Sequence, residues 1–308
     1  YNLAKSEFNQ FCRSKSTINI SNKGNIEVSI ILVLHNKDSL TYKCLKSISN
    51  LFDVNIELII VDNNSCDRTD LLLKKIEGNI KIIKNEQNLH FLKSVNQALG
   101  LATKKYISLV NNDTILDPFI FSHAYKTESK TSCDSIIGGM VMHLDGRIQD
   151  AGSIVFNDGS CLGLGRRAMP NTSLYSFKRT VDYISGCFLF CKRDIFIKLE
   201  GFDSKFAPAY YEETDFCFRL KGKGGQVIYQ PNCKLWHYEY GSTSGDQESI
   251  ELMKTNQKKF LDKHFEVIKN RLRKKDFNPH KITNIMFNHL KNGNKFLIID
   301  DKFPSKTI

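Results

Sequence analysis

Four polar residues, Asn111-Asn112-Asp113-Thr114, directly follow the apolar run Tyr106–Val110. The run predicts a short buried strand, so these oxygen-bearing side chains would leave the sheet together at its carboxyl end. Hard cations such as Mg2+ prefer oxygen ligands and keep several waters, so one or two carboxylates plus substrate phosphates can bind them. A plain Asn/Asp turn has the same composition. The metal interpretation therefore depends on what other elements bring to this place.

Two further apolar runs also end in polar residues. His35-Asn36 follows Glu27–Leu34, and Asp62-Asn63-Asn64 follows Asn55–Val61. Strands that alternate with helical segments indicate a parallel sheet with right-handed crossovers. Ligands of such sheets bind beyond the carboxyl ends of the strands. The sequence therefore predicts an α/β fold, a Rossmann-like, mostly parallel sheet with helices on both faces, and one ligand site that collects all three polar clusters.

The expected elements follow from hydrophobic periodicity. Further strands are expected at Ile80–Lys84, Ser135–Val141, Tyr183–Cys191 and Gly225–Tyr229. Helices are expected at Leu3–Cys12, Ser39–Leu51, Asp67–Glu77, Asn88–Thr103, Arg193–Leu199, Gln247–Arg273 and His280–Leu290. No Gly-rich dinucleotide fingerprint follows the first strand and no P-loop pattern occurs, which argues against nicotinamide, flavin and P-loop enzymes.

A second acidic cluster lies far along the chain, at Glu212-Glu213-Thr214-Asp215. The helical periodicity that follows places these acids at a helix start, where the dipole favours carboxylates. They could cap the helix or do acid–base chemistry, and the pattern leaves both open. Two interpretations are also open for Trp236-His237. A His beside Trp can be a packed structural residue or a further metal ligand.

Composition sets the outer limits. The 308 residues are 41% apolar and 25% charged, which fits a soluble globular protein. The net charge is +11, and residues 251–308 hold 14 Lys and Arg against 6 Asp and Glu. Such a basic tail suits an anionic partner, which is a membrane face, a diphosphate-bearing substrate or nucleic acid, or it is a solvated helix face. The nine cysteines show no C-x-x-C pair, so we expect free thiols in a reducing cytoplasm.

The ordered set of motifs resembles glycosyltransferase family 2, which has the GT-A fold. The matching pieces span roughly residues 27–245: Val28–Asn36, Leu58–Ser65, Asn88-Leu-His-Phe91 leading to Asn96, Leu109–Thr114, Gly186, Gly201-Phe202-Asp203, Glu212-Glu213 with Asp215 and Arg219, and Trp236-His237. The nearest resemblance is to bacterial rhamnosyltransferase-like enzymes of surface polysaccharide synthesis.

The resemblance implies roles for individual residues. The donor nucleotide would be bound by His35, Asn36, Asp62, Asn64, Asn88, Asn96 and Asn112. Asp113, Asn111 and His237 would hold Mn2+ or Mg2+. Glu213 takes the place of the catalytic base, with Glu212 as the neighbouring alternative. Asp215, Gly186, Trp236 and Arg219 would meet the acceptor or serve the structure. Two departures stand out: Asn111 occupies the first position of the DXD motif, and the base is Glu instead of Asp.

The implied activity is inverting, metal-dependent transfer of a sugar from a nucleoside-diphosphate sugar to a hydroxyl of a growing or lipid-linked glycan, of polysaccharide, O-antigen or capsule type. The alternative is a catalytically degenerate sugar-nucleotide-binding module that scaffolds a fused glycosyltransferase domain. A sugar-phosphate nucleotidyltransferase would need a Gly-rich, Arg-containing loop after the first strand, where His35-Asn36-Lys37-Asp38 stands. We expect a cytoplasmic protein, with contact at the inner face of the cell membrane left open, and no nucleic-acid partner.

The expected domain organisation has four parts. Residues 1–26 form an N-terminal extension, 27–245 the GT-A domain and 246–294 a basic helical extension or linker. Residues 295–308 resemble the opening strand of a further α/β domain, cut short. The chain begins without Met and without a signal-peptide pattern, so we expect an internal piece of a longer protein.

Overall fold

The computed structural model describes residues 1–238 and 247–278. Within these ranges the α-helices are α1 (Asn2–Arg13), α2 (Asp38–Ser49), α3 (Thr69–Leu73), α4 (His90–Leu99), α5 (Ile120–Glu128), α6 (Arg193–Lys198), α7 (Glu212–Gly222) and α8 (Gln247–Ile268). Short 3-10 turns lie at Ser173–Tyr175, Ser204–Phe206 and Lys274–Asp276. None of the helices in this part of the chain combines the length and apolar composition needed to cross a bilayer.

The strands of the same residues are β1 (Ile18–Ile20), β2 (Ile26–Leu34), β3 (Val54–Asn63), β4 (Ile76–Gly78), β5 (Ile80–Asn85), β6 (Tyr106–Asn111), β7 (Thr114–Leu116), β8 (Ser135–Met142), β9 (Ile148–Asp150), β10 (Ser153–Val155), β11 (Cys161–Gly163), β12 (Arg179–Thr180), β13 (Phe188–Lys192) and β14 (Gln226–His237). Most belong to one sheet with the order β12-β14-β8-β13-β6-β2-β3-β5, to which β7 and β9 add at the side.

The half of the sheet that holds the polar strand ends is wholly parallel: β6, β2, β3 and β5 pair in the same direction. Antiparallel β13 then joins β6 to β8, which pairs in parallel with β14. Continuous apolar strands suit burial on both faces. Ile31 packs in one hydrophobic core, while its neighbours Ile30 and Leu32 pack in the core on the other face. The prediction of an α/β, mostly parallel sheet is confirmed.

Several element boundaries differ from the sequence prediction. The helix expected over 67–77 is only Thr69–Leu73, because Ile76–Gly78 instead pairs in parallel with β1. The strand expected from Tyr183 begins at Phe188, and the strand expected to end at Tyr229 continues to His237. The helix expected at His280–Leu290 and the strand after residue 295 lie outside the described residues.

Two predictions about the chain's periphery have clear outcomes. All nine cysteines are free thiols, as predicted, and five of them are buried. The basic helix expected over Gln247–Arg273 ends earlier, at Ile268, with a kink at His264. Instead of standing apart, α8 packs on α7, with the Phe260 ring 5.0 Å from the ring of Phe218.

Candidate active site

A cavity of about 340 Å³ opens where β2, β3 and β6 end. The parallel pairing of these strands brings their carboxyl ends together, and α7 and the end of β14 close the opposite side. Eight of the residues singled out from the sequence line this cavity: His35, Asn88, Asn111, Asn112, Gly186, Glu212, Glu213 and His237. Chain segments that are distant in sequence therefore meet at one place.

The strand exits owe their shape to residues that tolerate left-handed backbone. Asn36 and Asn64 have φ values of 56° and 58°, a region that Asn enters more readily than most residues. His35 Nδ1 lies 2.8 Å from the Asn63 carbonyl oxygen, which can only accept, so this nitrogen is the donor. The Asn112 amide donates to Thr41 Oγ1 at 3.0 Å. These bonds fix the floor of the cavity.

Other proposed nucleotide ligands lie beside the cavity instead of lining it. Asn36 Oδ1 accepts from the Cys66 backbone N–H at 2.8 Å, and Asp62 Oδ1 accepts from the Ser65 N–H at 3.1 Å. Both side chains shape the turn that follows β3. Asn64 belongs to the same turn and is absent from the lining. Within the cavity, Asn88 Oδ1 accepts from the His90 N–H at 2.9 Å and orders the start of α4.

Asp113 and His237 form a buried pair at the wall of the cavity. His237 Nε2 lies 3.1 Å from Asp113 Oδ1, and Cys187 Sγ lies 3.7 Å from His237 Nδ1. The pair is assembled by the antiparallel register that places His237 opposite Thr114. Burial by itself lowers the pKa of His237, but Cys187 and the hydrogen bond to Asp113 outweigh it and raise the pKa above its ordinary range.

This pair is compatible with a divalent cation that takes further ligands from substrate. Among residues 1–238 and 247–278, no group of three or more His, Cys, Asp and Glu side chains converges as a metal site. A carboxylate and an imidazole at 3.1 Å nevertheless supply two suitable donors. Mg2+ in particular binds through one or two carboxylates plus phosphates. The donor set fits an ion shared with a diphosphate and does not fit a fully protein-ligated one.

Glu212 and Glu213 open helix α7 and face the cavity. One oxygen of each carboxyl group, Oε2, is buried with no hydrogen-bond donor in reach among the described residues. Burial and the neighbouring Glu213 raise the pKa of Glu212 well above its ordinary range. Burial likewise raises the pKa of Glu213 to about 7. A carboxyl group that titrates near neutrality in a cavity is suited to general-base chemistry.

The turn that presents these acids has an unusual backbone. Tyr210 and Tyr211, the two residues before Glu212, have φ values of 72° and 70°. Such values are costly for bulky residues and occur where surrounding contacts enforce them. Here the Tyr211 hydroxyl donates to the Gly159 carbonyl at 3.0 Å. Asn256 of α8 is fully buried, and its Nδ2 lies within 3.1 Å of the Phe206, Ala209 and Tyr210 carbonyls.

Asp215 and Arg219 lie behind the cavity and outside its lining. Asp215 is fully buried, and its carboxylate contacts Arg219 Nε, Lys263 Nζ and His264 Nε2, each at 2.7 Å. Burial alone would raise the pKa of Asp215, but the hydrogen bonds from His264 and Lys263 hold it below its ordinary value. Arg219 also donates to the Gly201 carbonyl at 2.7 Å. This network joins α7 to α8.

Asn96 and Trp236 also lie outside the cavity lining. Asn96 Nδ2 donates to the Phe202 carbonyl at 2.8 Å, and Asn96 Oδ1 accepts from the Phe202 N–H at 2.9 Å. The amide therefore locks the turn after α6 onto α4. Trp236 pairs with Ile115 across β14 and β7 and packs on the hydrophobic core.

Sequence reasoning did not assign a role to four residues that the structure brings to the site. Asn63 and Cys187 line the cavity, Gln149 contacts His237, and Asn256 holds the turn before α7. Asn63 was signalled by its position at a strand exit. The other three lie on elements whose placement depends on long-range pairing, so no local pattern marks them.

Comparison with known proteins places this geometry in a family. The model for "Glycosyl transferase family 2" matches residues 29–199, which include all three strand exits, while Glu212, Glu213 and His237 lie beyond the match. An uncharacterized glycosyltransferase of Haemophilus influenzae is 34% identical over 94 residues, which are 30% of this chain and 29% of that protein. The chain spans only 22% to 38% of the length of the curated relatives it matches.

Two solved structures share the fold. GalNAc-T7, solved with UDP, GalNAc and Mn2+, aligns with a TM-score of 0.62 at 12% identity, over 78% of this chain and 50% of that chain. The mannosyltransferase PcManGT from Pyrobaculum calidifontis, in complex with GDP-Man and Mn2+, aligns with a TM-score of 0.55 at 12% identity, over 86% and 71%. The fold is thus that of the GT-A glycosyltransferases, and because the family model matches more than half of its length, the chain belongs to glycosyltransferase family 2.

Proposed function

We propose that this protein transfers a sugar, with inversion, from a nucleoside-diphosphate sugar to a hydroxyl group of a growing glycan. The observation that supports this most directly is the carboxyl pair Glu212 and Glu213 at the start of α7. It faces the same cavity as the polar ends of β2, β3 and β6 and as His237. One cavity therefore has a base on one side and groups suited to a nucleotide diphosphate on the other.

Glu213 is the proposed base. It is the more exposed member of the pair, since Glu212 is only 5% exposed and Glu213 is half-buried. Burial raises the pKa of Glu213 to about 7, so this carboxyl group titrates near neutral pH, while burial and the neighbouring Glu213 raise the pKa of Glu212 well above its ordinary range. The Glu213 carboxylate takes the proton of the acceptor hydroxyl as that oxygen attacks the anomeric carbon. General-base assistance of this kind accelerates a reaction by about 10²–10⁴-fold.

The proposed placement of the groups supports inversion. The base approaches from the α7 side, and the diphosphate would lie toward Asp113 and His237 at the strand ends. Attack and departure then occur on opposite faces of the sugar in a single displacement. A covalent sugar intermediate on Glu213 would instead give retention.

The donor side combines His35, Asn88 and Asn112 in the cavity with the Asp113–His237 pair at its wall. Mn2+ or Mg2+ held by Asp113 and His237 would neutralise charge on the departing diphosphate. The solved neighbours were obtained with UDP or GDP-Man and with Mn2+, which supports a nucleotide-sugar donor and a divalent cation for this chain too. Asn111, at the edge of the same cavity, would supply a neutral contact.

We propose that the acceptor is a bacterial surface glycan, polymeric or lipid-linked. We further propose a rhamnosyltransferase-like donor preference and a second glycosyltransferase domain fused to this one. The basic residues of α8, among them Lys254, Lys258 and Lys259, would suit the anionic inner face of a cell membrane. The alternative, a degenerate binding module, is disfavoured because a competent carboxyl pair would have no role in it.

The direct test compares Glu213→Gln with Glu266→Gln, a matched change at a carboxylate whose side chain is 77% exposed on α8. Donors are first found by screening nucleotide sugars for a thermal shift with Mn2+, since donor binding raises apparent stability. We expect Glu213→Gln to lower donor turnover by at least about 100-fold with donor affinity nearly unchanged. Glu266→Gln should behave as wild type. Wild-type turnover in Glu213→Gln would exclude Glu213 as the base.

A further inference from the structure

The hairpin of β8 and β9 contains an irregularity next to the cavity. Val141 pairs with Asp150, and the following residue Met142 pairs with Ile148, so Gln149 is an extra residue on β9. Such a β-bulge re-aims side chains that would otherwise alternate between the two faces, and bulges are frequent beside active sites. Ile148 remains fully buried in the core, while Gln149 is turned toward the end of β14.

The bulge places Gln149 on the imidazole of His237. Gln149 Oε1 lies 3.1 Å from His237 Nδ1, and the other ring nitrogen, Nε2, lies 3.1 Å from Asp113 Oδ1. An amide oxygen only accepts hydrogen bonds, so the contact requires the proton on Nδ1. The ring is thereby held with Nε2 directed at Asp113. Imidazole ligands of metals commonly have their second nitrogen fixed in this way.

We propose that Gln149 is a positioning residue that orients His237 and thereby sets the affinity of the Asp113–His237 pair for a divalent cation. This inference rests on the metal-assisted transfer proposed above. The choice of a neutral acceptor fits the surroundings, because Asp113, Glu212 and Glu213 already concentrate carboxyl groups there. Gln149 orients the ring without adding another negative charge.

The neighbouring residue Asp150 contacts a different part of the fold from Gln149. Its Oδ2 accepts from Ser153 Oγ at 2.7 Å, which ties β9 to the start of β10, whereas Gln149 contacts His237. Loss of a group that orients a metal-binding His typically weakens metal affinity by about 10–100-fold. The same range is expected for loss of the Gln149 amide.

The test measures Mn2+ affinity of the whole chain by electron paramagnetic resonance of free Mn2+, with UDP or GDP present. Gln149→Met keeps the side chain's length but removes the acceptor, and should weaken Mn2+ binding by about 10–100-fold. Gln149→Glu keeps an acceptor and should stay within about threefold of wild type or bind more tightly. Gln97→Met, on the exposed face of α4 where Gln97 bonds Asn85, is the matched control and should equal wild type.

The outcomes separate this inference from the proposed function. If wild type binds Mn2+ and Gln149→Met binds it equally well, the positioning role is wrong while metal-assisted transfer stands. If Gln149→Met and Gln149→Glu lose affinity equally, the residue matters only for local packing and the inference is also wrong. If wild type does not bind Mn2+ with either nucleotide, the metal part of the proposed function fails, and this inference with it. Melting temperatures without metal show whether each variant is folded.

Discussion

Glu213→Gln should make the protein more stable, and increasingly so as the pH rises. The pKa of Glu213 is about 7 in the folded protein against 4.5 for an ordinary Glu. The folded state therefore binds this proton more tightly than the unfolded chain, and wild type loses stability as the pH rises through 7. For a single group with these values, the loss is about 1 kcal/mol at pH 5 and about 3 kcal/mol at pH 8. Gln cannot ionise, so the variant avoids this pH-dependent loss of stability.

The measurement is urea unfolding followed by circular dichroism at pH 5, 6.5 and 8. The Gln variant should gain about 2 kcal/mol relative to wild type between the two extremes. Glu266→Gln, at a carboxylate exposed to solvent, should show no such pH-dependent gain. A gain that is the same at every pH, or a loss of stability at pH 8, would show that Glu213 is not a strained carboxylate and would remove the reason for treating it as the base.

Three other substitutions probe the surroundings of the carboxyl pair. Asp113→Ala should weaken Mn2+-dependent binding of UDP or GDP at least about 10-fold. If calorimetry finds that wild type binds the nucleotide with equal affinity before and after EDTA, the metal-binding role of Asp113 is contradicted. Asp215→Asn leaves the partly exposed Arg219 and Lys263 without their buried carboxylate partner and should cost about 1–3 kcal/mol in urea unfolding. Because the pKa of Asp215 is held low, the penalty should fade as the pH drops toward the acid range. Asn96→Ala should lower the free energy of unfolding by about 1–3 kcal/mol, because it removes both hydrogen bonds to Phe202. A tenfold loss of donor affinity in this variant would instead show that Asn96 contributes to nucleotide binding.

The part of the site that the sequence predicts well is the part built by neighbouring parallel strands. The runs that form β2, β3 and β6 are largely apolar, so their carboxyl ends can be located from the sequence within a residue or two. Once the strands are parallel and adjacent, His35 and Asn111 must lie at the same edge. The convergence of these residues therefore follows from local patterns together with a single rule of topology.

The roles of individual amides could not be predicted in the same way. Asn96 and Asn88 both lie near α4, yet one is committed to Phe202, 106 residues away, and the other lines the cavity. Gln149 reaches His237 only through a bulge in a three-residue strand. In each case the partner is chosen by long-range packing, which leaves no periodicity in the sequence for a pattern to detect.

Helix α8 is the strongest case of such long-range dependence. Left-handed backbone at Tyr210 and Tyr211 costs on the order of 1–3 kcal/mol each, and contacts elsewhere must offset it. Asn256 supplies them to the turn itself, and Lys263 holds Asp215 one helical turn further on. The proposed base at the start of α7 is thus held by a helix that the sequence pattern assigns to an extension after residue 245. We therefore propose that the catalytic unit includes α8, since the turn that aims Glu213 has its hydrogen bonds there.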